Sequence, residues 1–328
     1  MDIDQLFELF EQKTVLVVGD VMIDSYIFGS KPVSGQVPIV NTKRKEKRLG
    51  GAANVALNIK NLGATPVLCS VVGDDYEGEV FERLLEAQGM PNKGIIRSQN
   101  RRTTTKLRVM AGANQIVRVD SEDIHPLVEL DRKALLNHIN NLAKDSDLII
   151  FEDYDKGTIH SEIISETIAI AEKFNIPVAV DPKYKNFFAY EGATLFKPAI
   201  EELEKALKVT LSTKHEAELI ALFDQLDSKV NSKIYLVSLE DGDLFVHANG
   251  ISTTYKTHQT GVADMSGVGN AIISVAGLCL ALGLKEEVIA ELSNIAAGVV
   301  AKYSGVVPIS KHELLKETSE NQILHKYL

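Results

Sequence analysis

Short apolar runs rich in β-branched residues alternate along this chain with segments of helical periodicity, and this alternation restricts the fold more than any other feature. Thr14 to Val18, Pro66 to Val72, Leu148 to Phe151, Pro177 to Val180 and Ile234 to Val237 read as strands buried on both faces. Asn54 to Leu62, Glu77 to Gln88 and Ile163 to Phe174 space their apolar residues as helices do. Strand and helix in turn predict an α/β fold, a doubly wound and mainly parallel sheet with helices on both faces. At 328 residues and 45% hydrophobic, the chain has material for a substantial core, in one large domain or two smaller ones.

Two stretches break the alternation. Residues 24–41 and 103–120 contain strand-like segments with no helix between them, and Met110-Ala111-Gly112-Ala113-Asn114 is a good hairpin turn. We expect these stretches to form a small β lid. In a strand from Thr103 to Met110, period two puts Thr104, Lys106 and Arg108 on one face and Thr105, Leu107 and Val109 on the other. A basic face suits a lid closing over a phosphate, and Arg118 can add to it. The same charges would also serve as solvated edge-strand residues that discourage aggregation.

In a doubly wound sheet, ligands sit beyond the carboxyl ends of the strands, where Gly19-Asp20, Asp153 and Asp181 fall. A second phosphate signal lies in Asp264-Met265-Ser266-Gly267-Val268-Gly269-Asn270, followed by an apolar helical run from Ala271 to Leu282. Gly267 and Gly269 let the backbone approach an anion, and the helix presents its N-terminal N–H groups to it. By itself such a pair of glycines also fits a plain helix start.

A formal net charge of -10 argues against a nucleic-acid partner. The run Lys43-Arg44-Lys45-Glu46-Lys47-Arg48 reads as a solvated strand end or a substrate rim. Cys69 and Cys279, each among apolar neighbours, read as buried free thiols in a reducing cytoplasm. No apolar stretch is long enough to span a bilayer, and the acidic start Met1-Asp2-Ile3-Asp4 is unlike a signal peptide, so we expect a cytoplasmic protein without membrane association.

Taken in order, Gly19-Asp20-Val21-Met22-Ile23-Asp24, Val37-Pro38-Ile39-Val40, Gly50-Gly51-Ala52-Ala53-Asn54, Arg102-Thr103-Thr104, Asp153-Tyr154-Asp155-Lys156-Gly157, Val180-Asp181-Pro182-Lys183, Lys197-Pro198-Ala199-Ile200-Glu201-Glu202 and the Asp264–Asn270 loop resemble the ribokinase-like carbohydrate kinases. The resemblance is closest to the branch of D-glycero-β-D-manno-heptose-7-phosphate kinases and runs from about Thr14 to about Leu315. It implies one kinase domain over residues 1–328, a sugar phosphate and ATP as ligands, Mg2+ as cofactor, and a homodimer formed through the lid.

The resemblance also assigns roles by position. Asp20, Asp24, Gly50, Gly51, Asn54, Lys106, Arg108, Asp153 and Lys183 would line the sugar-phosphate site, although turn and helix capping also account for Asp24 and Asn54, and Asp181-Pro182 before Lys183 is also common turn chemistry. Lys197, Glu202, Ser238, Gly242 and Asp264 would meet the nucleotide, with Glu202 acting indirectly on the metal. Gly267, Val268 and Gly269 would form the anion hole, and Asn270 stands where the family has its aspartate base.

An amide has no basic lone pair comparable to that of a carboxylate, so the catalytic motif is degenerate. Ala199 replaces the Asn of the family's Asn-x-x-Glu element, Val268 replaces an Ala, and Gln36 stands where this branch usually has Glu. The loop Ser238-Leu239-Glu240-Asp241-Gly242 is one residue short. These departures imply a kinase of weak or lost activity, or alternatively an inactive homologue that binds sugar phosphate or nucleotide as a regulator or partner.

Overall fold

The computed structural model describes residues 2–30, 39–112, 114–211, 216–258, 265–321 and 324–327. Among these residues thirteen strands form two sheets. In chain order they are β1 (Thr14–Gly19), β2 (Val21–Gly29), β3 (Thr42–Gly51), β4 (Thr65–Gly73), β5 (Ile95–Ser98), β6 (Thr105–Ala111), β7 (Asn114–Ser121), β8 (Leu148–Glu152), β9 (Val178–Asp181), β10 (Leu195–Phe196), β11 (Ile234–Ser238), β12 (Leu244–Ala248) and β13 (Ile251–Tyr255). The larger sheet runs β13-β12-β11-β10-β9-β8-β1-β4-β5. Pairs from β5 across to β11 are parallel, and β12 and β13 finish one edge antiparallel.

Alternate residues of β1 enter different cores, as the strand pleat requires. Val15 and Val17 join one apolar cluster, while Leu16 and Val18 join another on the opposite face. The first face is covered by α1 (Ile3–Glu11), α2 (Ala52–Asn61), α3 (Tyr76–Ala87), α8 (Val268–Ala281), α9 (Glu286–Ala301) and α10 (Lys311–Glu320). The second is covered by α4 (Glu129–Ala143), α5 (Ser161–Phe174), α6 (Ile200–Leu207) and α7 (Glu216–Val230). The chain therefore has the doubly wound α/β architecture that its alternation predicts. Helix α8 is apolar on every side because it lies between α2, α9, β8 and β9. Each buried Ile, Val or Leu on it contributes about 1.5–3 kcal/mol, so the core fixes where this helix starts.

The smaller sheet runs β3-β2-β6-β7, with β2 parallel to β6 and the other pairs antiparallel. It takes in more of the chain than residues 24–41 and 103–120. The basic run from Lys43 to Arg48 is the body of a ten-residue strand rather than a strand end. Charges on both faces conceal its period of two. Arg44, Glu46 and Arg48 stand opposite Phe28, Tyr26 and Asp24, whereas Lys47 turns to the other side and donates to Glu77 at 2.7 Å. Strands β6 and β7 meet at the expected hairpin, with Gly112 at φ +65°, and Ala113 lies outside the described residues. So do Gln36, Val37 and Pro38.

Cys69 and Cys279 are buried and free, and among the described residues no helix is long and apolar enough to cross a membrane.

The end of β1 is packed without slack. A Cβ on Gly19 would lie 2.4 Å from the carbonyl oxygen of Glu152 and 2.7 Å from the Ala52 Cβ, so backbone from both sides would have to move. Gly19→Ala should lower unfolding stability by roughly 2–3 kcal/mol in urea titrations. A variant within ~0.5 kcal/mol of the parent would show that this junction is loose.

Candidate active site

The order of strands reverses between β1 and β8, and the register there aligns Gly19 with Glu152 and Glu152 with Asp181. Three carboxyl ends therefore open on one crevice. Asp20 is 1% exposed and organises its rim. Its carboxylate accepts from the backbone N–H groups of Tyr154 at 2.9 Å, Lys156 at 3.0 Å and Thr158 at 2.9 Å. Both oxygens are thus spent on the loop after β8. Asp153 in that loop accepts from the Tyr190 hydroxyl at 2.8 Å and the Asn186 amide at 3.0 Å. Burial, then the Asp20 charge, push the Asp153 carboxyl up to about 6.

Beyond the strand ends lies a cavity of about 400 Å³. It brings together Asp153, Lys183, Lys197, Glu202, Ser238 and Gly242 with the first turn of α8, Val268 to Asn270. Gly267 caps that helix at φ +85°, a left-handed conformation that glycine adopts without strain. The Lys197 ammonium lies 2.9 Å from Asp181 Oδ2 beside Gly269, where a Cβ would stand 3.7 Å from either group. Lys183 pairs with Glu202, whose other oxygen accepts the Ala199 N–H at 2.9 Å. Glu202 therefore caps its own helix at the point where the Asn of the family element is missing.

Asn270 is 8% exposed, and its Oδ1 accepts from the Tyr154 hydroxyl at 3.1 Å. Glu152 and Tyr154 line the same cavity. Burial and the neighbouring Asp181 push the Glu152 carboxyl well above the ordinary range, and burial likewise raises the Tyr154 hydroxyl.

The remaining predicted residues lie on or beside the smaller sheet. Arg108 forms an ion pair with Asp24, and Lys106 stands 4.0 Å from Asp120. Burial, then the charge of Lys156, lowers the Lys106 ammonium from its usual range. Lys156 belongs to the loop after β8 and donates to Glu122 at 2.8 Å, so the Lys106 face is turned toward the crevice. Gly50 passes under Asp24, where a Cβ would lie 2.5 Å from Oδ2, and Gly51 leads directly into α2. Asn54, in the first turn of α2, lines a separate pocket of about 320 Å³ with Arg48 and Val306. Asp264 lies outside the described residues.

Sequence reasoning gave no role to Glu152 or Tyr26, and it took Arg48 only as part of the run that reads as a strand end or substrate rim. Tyr26 stacks on Phe28 at 5.6 Å, with the Arg48 and Arg108 guanidinium groups 5.2 and 5.4 Å from the Tyr26 ring centre. The alternation Asp24, Tyr26, Phe28 was a signal for this face. Glu152 carried one too, an acid closing an otherwise apolar strand.

Comparison with known proteins agrees with this architecture. Bifunctional protein HldE from Citrifermentans bemidjiense is 32% identical over 319 residues, covering 96% of this chain and 65% of the relative. The protein of the same name from Helicobacter pylori is 35% identical over 305 residues, covering 92% of this chain and 65% of the relative. The chain thus spans about two thirds of the length of these curated relatives. Among solved structures, phosphofructokinase-2 from Escherichia coli superposes with a TM-score of 0.78 at 17% identity, covering 94% of this chain and 98% of that one. Ribokinase from Arabidopsis thaliana, solved with ribose and ATP, gives 0.72 at 16%, covering 93% and 99%. Residues 12–312 match the model of the pfkB family carbohydrate kinases, and with the sheet order and the crevice at its switch point this makes the chain a member of that family.

Proposed function

We propose that this protein binds ATP and a sugar phosphate of the heptose 7-phosphate type and transfers the terminal phosphoryl group to a sugar hydroxyl, slowly because Asn270 stands at the position of the base. The observation that carries the reading is the cavity, where the start of α8 meets Lys197 and Lys183 beside Asn270. Free N–H groups at a helix start bind phosphoryl oxygens, and a preorganised site of this kind stabilises charge as the phosphoryl group moves. The heptose assignment rests on the resemblance in sequence, on the HldE relatives and on the basic face formed by Lys106 and Arg108.

Six acidic residues and two lysines line the cavity, so a triphosphate needs a countercharge to enter it. Mg2+ carried in on the phosphates would supply that charge. Among the described residues no cluster of three Asp, Glu, His or Cys could hold the ion alone, and Glu202 is already engaged by Lys183 and Ala199. Glu202 would therefore act on the ion through water. The second reading, a binding protein without turnover, is favoured by Asn270 alone, whose amide can orient a hydroxyl but cannot take its proton.

We also infer one kinase domain working as a homodimer in the cytoplasm. On the smaller sheet Val117 and Val119 are 46% and 50% exposed, opposite the charged face. A second copy would cover them, and the two buried free thiols suit a reducing compartment. Val117→Lys with Val119→Lys should halve the mass measured by light scattering. A parent that is monomeric at micromolar concentration would remove the dimer.

Asn270→Asp restores a carboxylate with little change of shape. Single-turnover ADP formation with heptose 7-phosphate and MgATP should rise by about 10²-fold, the lower end of what a positioned base contributes. A parent already at ordinary kinase rates, or a variant that binds both ligands with no gain, would refute the role given to Asn270. Lys106→Ala with Arg108→Ala should weaken sugar-phosphate binding about tenfold or more in calorimetry and leave ATP affinity nearly unchanged. Equal sugar-phosphate affinity in parent and double variant would remove the lid from the substrate site.

A further inference from the structure

We propose that the cavity takes a sugar bisphosphate in preference to the sugar monophosphate, with the Asn270 amide donating from Nδ2 to the second phosphate at the first turn of α8. The inference rests on the kinase reading above and names a further ligand class for the same site.

The Tyr154 hydroxyl decides which end of the amide faces the cavity. It donates to Asn270 Oδ1 at 3.1 Å, and the Tyr154 backbone N–H is itself held by Asp20 at 2.9 Å, so the tyrosine is anchored where the chain leaves β8. Burial raises the Tyr154 hydroxyl well above its ordinary range, which keeps its proton in place near neutral pH. An amide whose oxygen is committed in this way presents its nitrogen on the other side, and that nitrogen only donates. Asn270 is 8% exposed and lines the cavity, and among the described residues nothing accepts from its Nδ2. A buried donor without an acceptor is a cost to the fold that a bound anion relieves.

Other groups converge on the same place. The N–H groups of the first turn of α8 have no partner within the helix, and Val268, Gly269 and Asn270 all line the cavity. Lys197 is 2% exposed, and its ammonium lies beside Gly269, 2.9 Å from Asp181 Oδ2. The charges of Lys197 and Asp181 cancel at this turn, so an aspartate at 270 would leave it negative, whereas the asparagine leaves it neutral. A carboxylate about 4 Å from a phosphate repels it strongly when both are partly buried. The amide replaces that repulsion with a charge-assisted hydrogen bond. The change that makes residue 270 unable to take a proton therefore makes it a good neighbour for a phosphate.

The ligand class follows from this placement. Transfer to a sugar phosphate puts the new phosphate where the accepting hydroxyl stood, beside residue 270, with the first phosphate toward Lys106 and Arg108 on the lid. A bisphosphate thus meets donors at both ends, while the monophosphate offers the start of α8 only a hydroxyl.

The test is calorimetry on the full chain in the presence of MgADP, with heptose 7-phosphate and heptose 1,7-bisphosphate as the probes. The parent should bind the bisphosphate at least about tenfold more tightly than the monophosphate. Asn270→Ala removes the donor without adding charge and should lower bisphosphate affinity about tenfold. Asn270→Asp adds repulsion to the lost bond and should lower it about 10²-fold. Both variants should keep monophosphate affinity within about threefold of the parent. Tyr154→Phe frees the amide to turn, so it should weaken bisphosphate binding about threefold or more in the parent and leave it unchanged in the Asn270→Ala background.

A parent that binds MgADP and both sugars with equal affinity for the two sugars overturns the proposal and leaves the kinase reading standing. An Asn270→Asp variant that keeps the parent's preference also overturns it, and if that variant fails to fold, a retained preference in Asn270→Ala does the same. Equal loss of both sugars in Asn270→Ala overturns it by making residue 270 structural. A Tyr154→Phe effect that persists in the Asn270→Ala background overturns the orienting role of the tyrosine. A parent that binds neither sugar nor nucleotide overturns the kinase reading itself.

Discussion

The Asp20 carboxylate joins the end of β1 to the loop after β8 through three backbone N–H groups, and the rest of the crevice is arranged around that junction. Charge-assisted bonds to backbone donors are short and directional, so they set the path of the chain as well as its stability. Here they fix Asp153 in its cage of Tyr190 and Asn186, aim Tyr154 at Asn270, and send Lys156 toward Glu122 on the smaller sheet. One buried acid thereby couples the large sheet, the start of α8 and the basic face of the small sheet.

The charges around the cavity are paired across its wall. Lys197 and Lys183 are held by Asp181 and Glu202, and both stand at the cavity wall. A buried lysine without such a partner would lose much of its charge. With both lysines pinned by acids, the backbone N–H groups at the start of α8 are the donors whose dipoles cannot be neutralised by proton loss.

Much of this was legible in the chain. The strands Thr14 to Val18 and Leu148 to Phe151 and the helix after Gly267 are strongly patterned, and their apolar period dictates burial wherever they pack. The β3 strand was hidden because alternation is visible only when the two faces differ in polarity, and Lys43 to Arg48 are charged on both. Glu152 showed only as the acid that closes an apolar strand. Its neighbours in sequence are an apolar strand and a turn, while the groups that give it meaning, Asp181 and the Lys197 ammonium, come from segments far along the chain.

The sequence by itself determined the layering, the glycines that allow close approach at Gly19 and Gly51, and the amide at Asn270, since each follows from local chemistry or from a period along one segment. Only the tertiary structure decided which charges are partners. Asp20 anchors the loop after β8, and Arg108 is matched with Asp24 across two strands. Glu152 was left as the buried cavity acid with an unsatisfied oxygen. Electrostatic interactions depend on distance and burial, and neither can be read until the strands are placed side by side.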